Sequence, residues 1–455
     1  MYHNEFQRNN SRSKYNLHVS EERRSRKVKM DRVIVIGMNF SPEITGIGKY
    51  TGEFCDYLSS VNYDVQVITS YPYYPQWKCE HGYNSRFYKM ESTSGIKILR
   101  CPIYIPNPKK KSRRIFQELS FFLTSFLAVT FLLFKKNKAD LIFVVSPSLL
   151  SGLVGLWYKF WHPAATMVYH IQDLQIDAAS HLGFFKNRRL ILLLGNIEKF
   201  ILSKSDIIST ISAGMMKKIS DKSKRIKKLI LFPNWVNTHE IYPAPPDRKF
   251  LRRHNLPLNK QIILYSGAVG EKQGLEMIIH AAPKIAKQLE NILFVVCGSG
   301  PYFETLRKRS VALGLSNIEF RPLLPVYEYN QLLNAAWLHL VLQKESAADL
   351  VMPSKLSAIM ASGGTCLVTA SENTCLYDLI NNNNLGWAIR PGNVESLTQA
   401  ICQLAMDPKM LEIKKSNALH YSTVYLSRDK VIGNFLSSVY EEKIAIHNLI
   451  IQPNN

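Results

Sequence analysis

Val33-Ile34-Val35-Ile36-Gly37, leading to Thr45-Gly46-Ile47-Gly48-Lys49, is an apolar strand that runs through a glycine loop into a helix. A second start of the same kind, Ile262-Ile263-Leu264-Tyr265-Ser266-Gly267 leading to Glu271-Lys272-Gln273-Gly274, lies in the other half of the chain. Short apolar runs alternating with amphipathic helices are the pattern of parallel sheets covered on both faces. The expected fold is therefore α/β, with two doubly wound, Rossmann-like domains facing across a cleft. Each would aim loop amides and a helix N-terminus at that cleft, an arrangement that suits phosphate.

Working outward, the first half continues through Val65–Thr69, Leu141–Val145, Thr166–His170 and Ile207–Thr210, and closes at Leu229–Trp235. Tyr242-Pro243-Ala244-Pro245-Pro246 reads as a linker or hinge. The second half repeats the pattern at Leu293–Cys297, Ile318–Phe320 and Cys366–Thr369. The resulting division is a basic leader over 1–29, a first domain over 30–240, a linker over 241–258, a second domain over 259–425 and a closing helix and tail over 426–455. The closing helix is expected to pack across the junction of the halves.

The chain has 455 residues, 46% of them hydrophobic, which is enough for two cores. With 57 Lys and Arg against 35 Asp and Glu, the net charge of +22 favours an anionic partner. A nucleic-acid role would need aromatics interleaved with bases, or a recognition module, and neither is present. The basic run from Lys217 to Lys228 reads equally as a solvated helix face. Seven cysteines lack paired spacing or a histidine cluster, so no metal site is expected. The polar leader, with Arg23-Arg24-Ser25-Arg26-Lys27, is not a signal peptide, which points to the cytoplasm and makes Met30 an alternative start.

Residues 115–134 are apolar for the length of a bilayer and lie between Lys109-Lys110-Lys111-Ser112-Arg113-Arg114 and Lys135-Lys136. A single span would put the strands at 32–37 and 141–145 on opposite sides, although both belong in one sheet. A monotopic helix with its basic flanks on anionic headgroups is expected instead; a buried helix of the first domain is the alternative.

Chemistry is expected at the strand ends. Gly46 and Gly48 would let backbone approach a substrate closely, and without Gly-x-Gly-x-x-Gly a nicotinamide or flavin reading is set aside. His170-Ile171-Gln172-Asp173 follows a strand, so the imidazole of His170 and the carboxylate of Asp173 could hold sugar hydroxyls. Gly267 opens the loop to Lys272, whose ammonium could stabilise a departing diphosphate. Gly300 could floor a nucleotide pocket, Ser354 could cap the next helix, and Lys355 adds a cation there.

Asn39-Phe40-Ser41-Pro42-Glu43, Val144-Val145-Ser146-Pro147, His170–Asp173, Pro233-Asn234-Trp235-Val236, Lys272-Gln273-Gly274-Leu275-Glu276 and Ala347–Leu356 together resemble the retaining glycosyltransferases of family 4. Within that family the likeness is to bacterial colanic-acid and exopolysaccharide transferases, over about 31–440. The resemblance implies the B-type fold of two Rossmann-like halves, a GDP- or UDP-sugar on the second, an acceptor on the first, and no obligatory metal. It implies transfer with retained configuration, in which the leaving phosphate oxygen takes the acceptor proton. Lys272 then matches the diphosphate lysine, His170 the histidine near the donor sugar, and Gly46 with Gly48 the loop under the diphosphate. Leu350 and Ala358 stand where many members carry glutamates, and Ala268 where arginine is common. The expected reaction moves a sugar, with fucose one candidate, to a polyprenyl-diphosphate-linked glycan at the anionic inner leaflet. A same-fold epimerase and a non-catalytic basic membrane scaffold are the competing readings.

Overall fold

The computed structural model describes residues 32–43, 46–74, 76–107, 113–134, 138–174, 188–345 and 353–451. The leader, Thr45, the lysines at 109–111 and 135–136, Gln175–Asp177 and the stretch from Ala347 to Met352, with Leu350, lie outside them. Both sheets lie within the unit Asp31–Asn455.

The first sheet contains β1 (Arg32–Gly37), β2 (Asp64–Ser70), β3 (Lys89–Thr93), β4 (Ile96–Cys101), β5 (Leu141–Ser146), β6 (Thr166–Ile171), β7 (Ile207–Thr210) and β8 (Leu229–Leu231). Their order is β3-β4-β2-β1-β5-β6-β7-β8, and every neighbouring pair is parallel except β3 with β4. The second sheet, in the order β11-β10-β9-β12-β13-β14, is parallel throughout. Its strands are β9 (Gln261–Ala268), β10 (Ile292–Ser299), β11 (Ile318–Arg321), β12 (Leu338–Val341), β13 (Cys366–Thr369) and β14 (Gly386–Ile389). The sequence reading had missed β3, β4, β12 and β14.

Apolar runs become strands here because both faces are covered. Val33, Val35 and Ile36 are fully enclosed, and each such side chain contributes about 1.5–3 kcal/mol relative to an exposed one. The order of the chain reverses between β1 and β5 in one sheet and between β9 and β12 in the other. Open parallel sheets bind ligands at such reversals, beyond the strands' C-terminal ends.

Helix Arg114–Leu133 is the crossover that carries the chain from β4 over to β5 in the same sheet, so it does not cross a bilayer. Phe121, Ser125, Ala128 and Val129 are buried on one face, while Phe116, Leu119, Leu123, Leu127 and Phe131 are exposed on the other.

Two chain segments pass side by side where the halves join. The Val236 N–H donates to Leu426 O at 2.8 Å and the Arg428 N–H to Val236 O at 2.9 Å. The last helix, Arg428–Ile451, then returns to the first half. Phe435 stacks on Phe232 with 3.9 Å between ring centroids, a pairing that adds about 0.5–1.5 kcal/mol beyond area burial. Lys443 pairs with Asp140 at 2.9 Å.

Candidate functional site

Beyond β1, the buried Glu43 carboxylate accepts from the backbone N–H groups of Tyr73 (3.2 Å) and Tyr74 (3.0 Å) and from Asn39 Nδ2 (3.0 Å). Burial nevertheless leaves its pKa above the usual carboxylate value. At Gly48 a Cβ would lie 2.5 Å from Glu43 Oε2. Gly46 is exposed at the helix start with φ +64°, in the left-handed region that favours glycine.

His170 is within β6, one residue before its end, and is only 2% exposed. Its Nδ1 is 2.9 Å from Ser209 Oγ, and its ring packs against Phe143 and Phe232, with centroids 5.4 Å and 5.1 Å away. Burial pushes its pKa down to about 3, so the imidazole is neutral at physiological pH. It lines a small cavity with Tyr50, Gln172 and Trp235, and a neutral ring there offers hydrogen bonding without a charge.

Asp173, two residues beyond the strand, is half-buried. Burial raises its carboxyl pKa, while the Leu174 N–H and the Lys272 ammonium pull the other way. Asp173 belongs to the first half and Lys272 to the second, so the halves meet with these two residues in electrostatic reach. Tyr50 and Tyr329 make a second such approach across the seam.

On the other side, Gly267 is the next-to-last residue of β9; its φ of +133° suits glycine, and a Cβ there would sit 3.3 Å from Lys355 Nζ. That ammonium lies 3.7 Å from the centroid of the Tyr265 ring. Withdrawal from water pushes its pKa down to about 7, and it has no carboxylate partner among the described residues. Lys272 is exposed on the short 3-10 turn Glu271–Gln273, and its carbonyl accepts from the Lys344 N–H at 2.8 Å. The loops after β9 and β12 are thereby tied together at the reversal point. Gly300 packs directly under the Val269 carbonyl, where a Cβ would collide, so it shapes the loop. Ser354 precedes helix Lys355–Ala361 but makes no side-chain cap bond, because its backbone is already helical at φ −60° and ψ −23°. The expected cap is corrected. Ala358 is in that helix, half-buried.

His170, Asp173, Lys272, Lys355, Gly267 and Gly46 all lie at strand ends or helix starts beside the reversals of the two sheets. Sequence reasoning overlooked Glu118, whose signal was a carboxylate inside an otherwise apolar helix. No group of three or more potential metal ligands occurs among the described residues. A neutral imidazole and carboxyls whose pKa values are raised by burial lie on one side, and two lysines on the other. This arrangement can hold a hydroxylated group against a diphosphate and stabilise negative charge as the bond between them breaks.

Comparison with known proteins adds the following. Residues 247–420 match the family described as glycosyl transferases group 1, and residues 45–235 match the glycosyl transferase 4-like domain. The chain is 36% identical over 414 residues to a protein described as a colanic acid biosynthesis glycosyl transferase, WcaI, of Escherichia coli (strain K12), covering 90% of this chain and 99% of that one. Among solved structures, sucrose-phosphate synthase from Thermosynechococcus elongatus superposes with a TM-score of 0.68 at 15% identity, covering 91% of this chain and 100% of the other. Anabaena HepE in complex with UDP and glucose gives 0.64 at 13% identity, over 91% and 100%.

Proposed function

The chain belongs to the group 1 glycosyl transferases, and from that premise we propose that it moves a sugar from a GDP- or UDP-sugar to a polyprenyl-diphosphate-linked glycan in colanic-acid-type exopolysaccharide assembly. Fucose is the first sugar to test. The observation that carries this reading is the placement of His170 and Asp173 at the end of β6, and of Lys272 and Lys355 just beyond β9 and β12, at the crevice-facing strand ends of the two sheets. The relative's name, colanic acid biosynthesis, supports the pathway type, and HepE solved with UDP and glucose supports the donor class.

In the proposed reaction the bond from the sugar's anomeric carbon to the diphosphate oxygen breaks. Lys272 and Lys355 meet the growing negative charge on that leaving group, and the neutral His170 ring and Asp173 hold sugar hydroxyls. The acceptor oxygen attacks from the leaving group's own face and its proton passes to the departing phosphate oxygen, so configuration is retained. Gly46 and Gly267 let loop backbone reach the diphosphate, with Gly300 beneath it. No metal or cofactor is assigned a role in this sequence, and nucleic acid is not a partner.

The protein works, in this proposal, on the cytoplasmic side of the inner membrane as a peripheral enzyme. Phe116, Leu123, Leu127 and Phe131 from helix Arg114–Leu133 are all more than half exposed, as are Phe160 and Trp161 from the adjoining helix Ser151–Trp161. Helices with such a face lie in the headgroup boundary, and basic neighbours add attraction to anionic lipid. The test is to incubate radiolabelled GDP- and UDP-sugars with membranes carrying the polyprenyl-linked glycan. Label entering the lipid fraction, and its loss in Lys272→Ala, is the expected result; no label from any donor would sink the proposal.

A further inference from the structure

Two lysines of the second half lie over aromatic rings, and they differ in what else holds them. Lys414 Nζ is 4.7 Å from the centroid of the Trp387 ring and donates to Asn384 Oδ1 at 2.6 Å and to Gly386 O at 2.7 Å. Its charge is met inside the fold. Lys355 Nζ is closer to its ring, 3.7 Å from the Tyr265 centroid, yet it makes no hydrogen bond or ion pair among the described residues. A ring face attracts a cation less strongly than a carboxylate or a set of carbonyls does. Lys355 is therefore a cation without a counter-charge.

Its place says where that counter-charge comes from. Tyr265 is fully enclosed, and its hydroxyl donates to Ala268 O at 2.6 Å, which fixes both the ring and the start of the loop after β9. The ammonium rests on that ring beside Gly267, where a Cβ would come within 3.3 Å of it. No side chain of residue 267 stands between Lys355 and the crevice-facing end of the strand. Lys272, on the same loop, is exposed, whereas Lys355 is half-buried. One lysine of the pair thus meets solvent and the other is drawn back from it.

We propose that Lys355 is a proton-coupled ligand of the donor: it rests withdrawn on the Tyr265 ring until the diphosphate arrives, and takes up a proton from solvent as it pairs with the diphosphate oxygens. One N–H bond forms on binding and breaks again when the nucleoside diphosphate leaves, and no bond to carbon is involved. The inference rests on the donor class proposed above and adds to it a control of donor affinity by pH. Burial without a partner favours the neutral amine and pushes Lys355 down from 10.5 to about 7, whereas an adjacent dianion favours the ammonium. Proton and donor then raise each other's affinity.

Neighbouring titratable groups do not supply this exchange. Burial holds the phenols of Tyr265, Tyr329 and Tyr421 protonated and pushes His339 of β12 down to about 3, so all four are neutral near pH 7. Helix Pro408–Tyr421 and the short π-helix Ser422–Leu426 also pack against helix Lys355–Ala361. Their Lys415 pairs with Glu412 at 2.9 Å, and Tyr425 stacks on Tyr421 with 4.9 Å between centroids. None of these groups acts on Lys355, whose shift has burial as its one cause.

The experiment is calorimetric titration of the full-length protein with GDP-fucose and with UDP-glucose at pH 6, 7 and 8, each in a pair of buffers that differ in ionisation enthalpy. The difference in heat between the buffers counts protons taken up. Sugar nucleotides are the probes because their esterified diphosphate does not itself titrate in this range. For the donor that binds, the expected uptake is about one proton at pH 8 and little at pH 6, with affinity about tenfold weaker at pH 8, where only about a tenth of the sites carry the ammonium beforehand. Lys355→Arg keeps a charge that does not titrate; it should still bind, with neither the uptake nor the pH dependence. Lys355→Met should bind weakly at every pH without uptake. A thermal midpoint close to the parent's certifies each variant, and the parent's own proton count decides if neither folds. Binding by the parent with no uptake at pH 8, or an uptake that persists in Lys355→Arg, overturns this inference and leaves the proposed function standing. No binding of either sugar nucleotide at any pH overturns both.

Discussion

The two halves share a sheet architecture but present opposite chemistry at their crevice-facing ends. The first offers a neutral imidazole and carboxyls with raised pKa values, at Glu43, Asp173 and Glu118. The second offers Lys272 on an exposed turn and Lys355 over an aromatic ring. One fold thus builds a wall of imidazole and carboxyl groups and a cationic one, and what differs is the residue type placed just after each strand. A transfer reaction needs that asymmetry, since only the leaving group gains negative charge.

Four changes test the contrast, taken from the largest effect to the smallest. Lys272→Ala removes the exposed ammonium beside Asp173 and should lower transfer by about 100-fold, the scale typical of losing one preorganised charge-stabilising donor; label entering lipid measures it. Gly267→Ala puts a Cβ 3.3 Å from Lys355 Nζ on a backbone at φ +133°. It should weaken GDP or UDP binding by about tenfold, from roughly 1.4 kcal/mol of strain and displaced ammonium, as read by calorimetry.

In the first half, Gly48→Ala drives a methyl into Glu43 and should cost about 1–3 kcal/mol of stability, visible in the urea midpoint. An unchanged midpoint would mean that Glu43 moves freely. Leu123→Glu with Leu127→Glu should reduce sedimentation with anionic vesicles several-fold while leaving the thermal midpoint nearly unchanged, because both side chains are about half exposed.

The histidines sharpen the comparison through pH. His170 and His339 are each pushed from the ordinary 6.5 to about 3 by burial. Below 6.5 the unfolded chain takes up protons that the folded one refuses, so stability is lost as pH falls from 6.5 towards 3 and is unaffected above it. Urea titrations across that range should show the decline, and it should be shallower in His339→Gln.

Much of this asymmetry was legible in the sequence because apolar strands and the residues just beyond them are local signals. Gly267, Lys272, His170 and Asp173 were placed at strand ends from pattern alone, and the parallel-sheet frame followed from runs such as Val33–Ile36. The hairpin of β3 and β4 was not legible because Lys89–Thr93 is an exposed edge strand, with little apolar alternation. β12 and β14 are only four residues each. The contact of Glu43 with Gly48 is one that spacing does not announce. Glu118 was overlooked for a related reason: Ser148, Tyr73 and Tyr169, which make its environment, come from three other elements distant in the chain. The ring of Tyr265 beneath Lys355 is likewise a tertiary contact.

The most direct measurement of a cationic wall built for a diphosphate is calorimetric titration of the full-length protein with GDP and with UDP, alongside Lys272→Ala. The account predicts saturable binding of one of the two nucleotides, weakened about tenfold or more by the substitution. No saturable heat with either nucleotide, or equal affinity in the parent and Lys272→Ala, would contradict it.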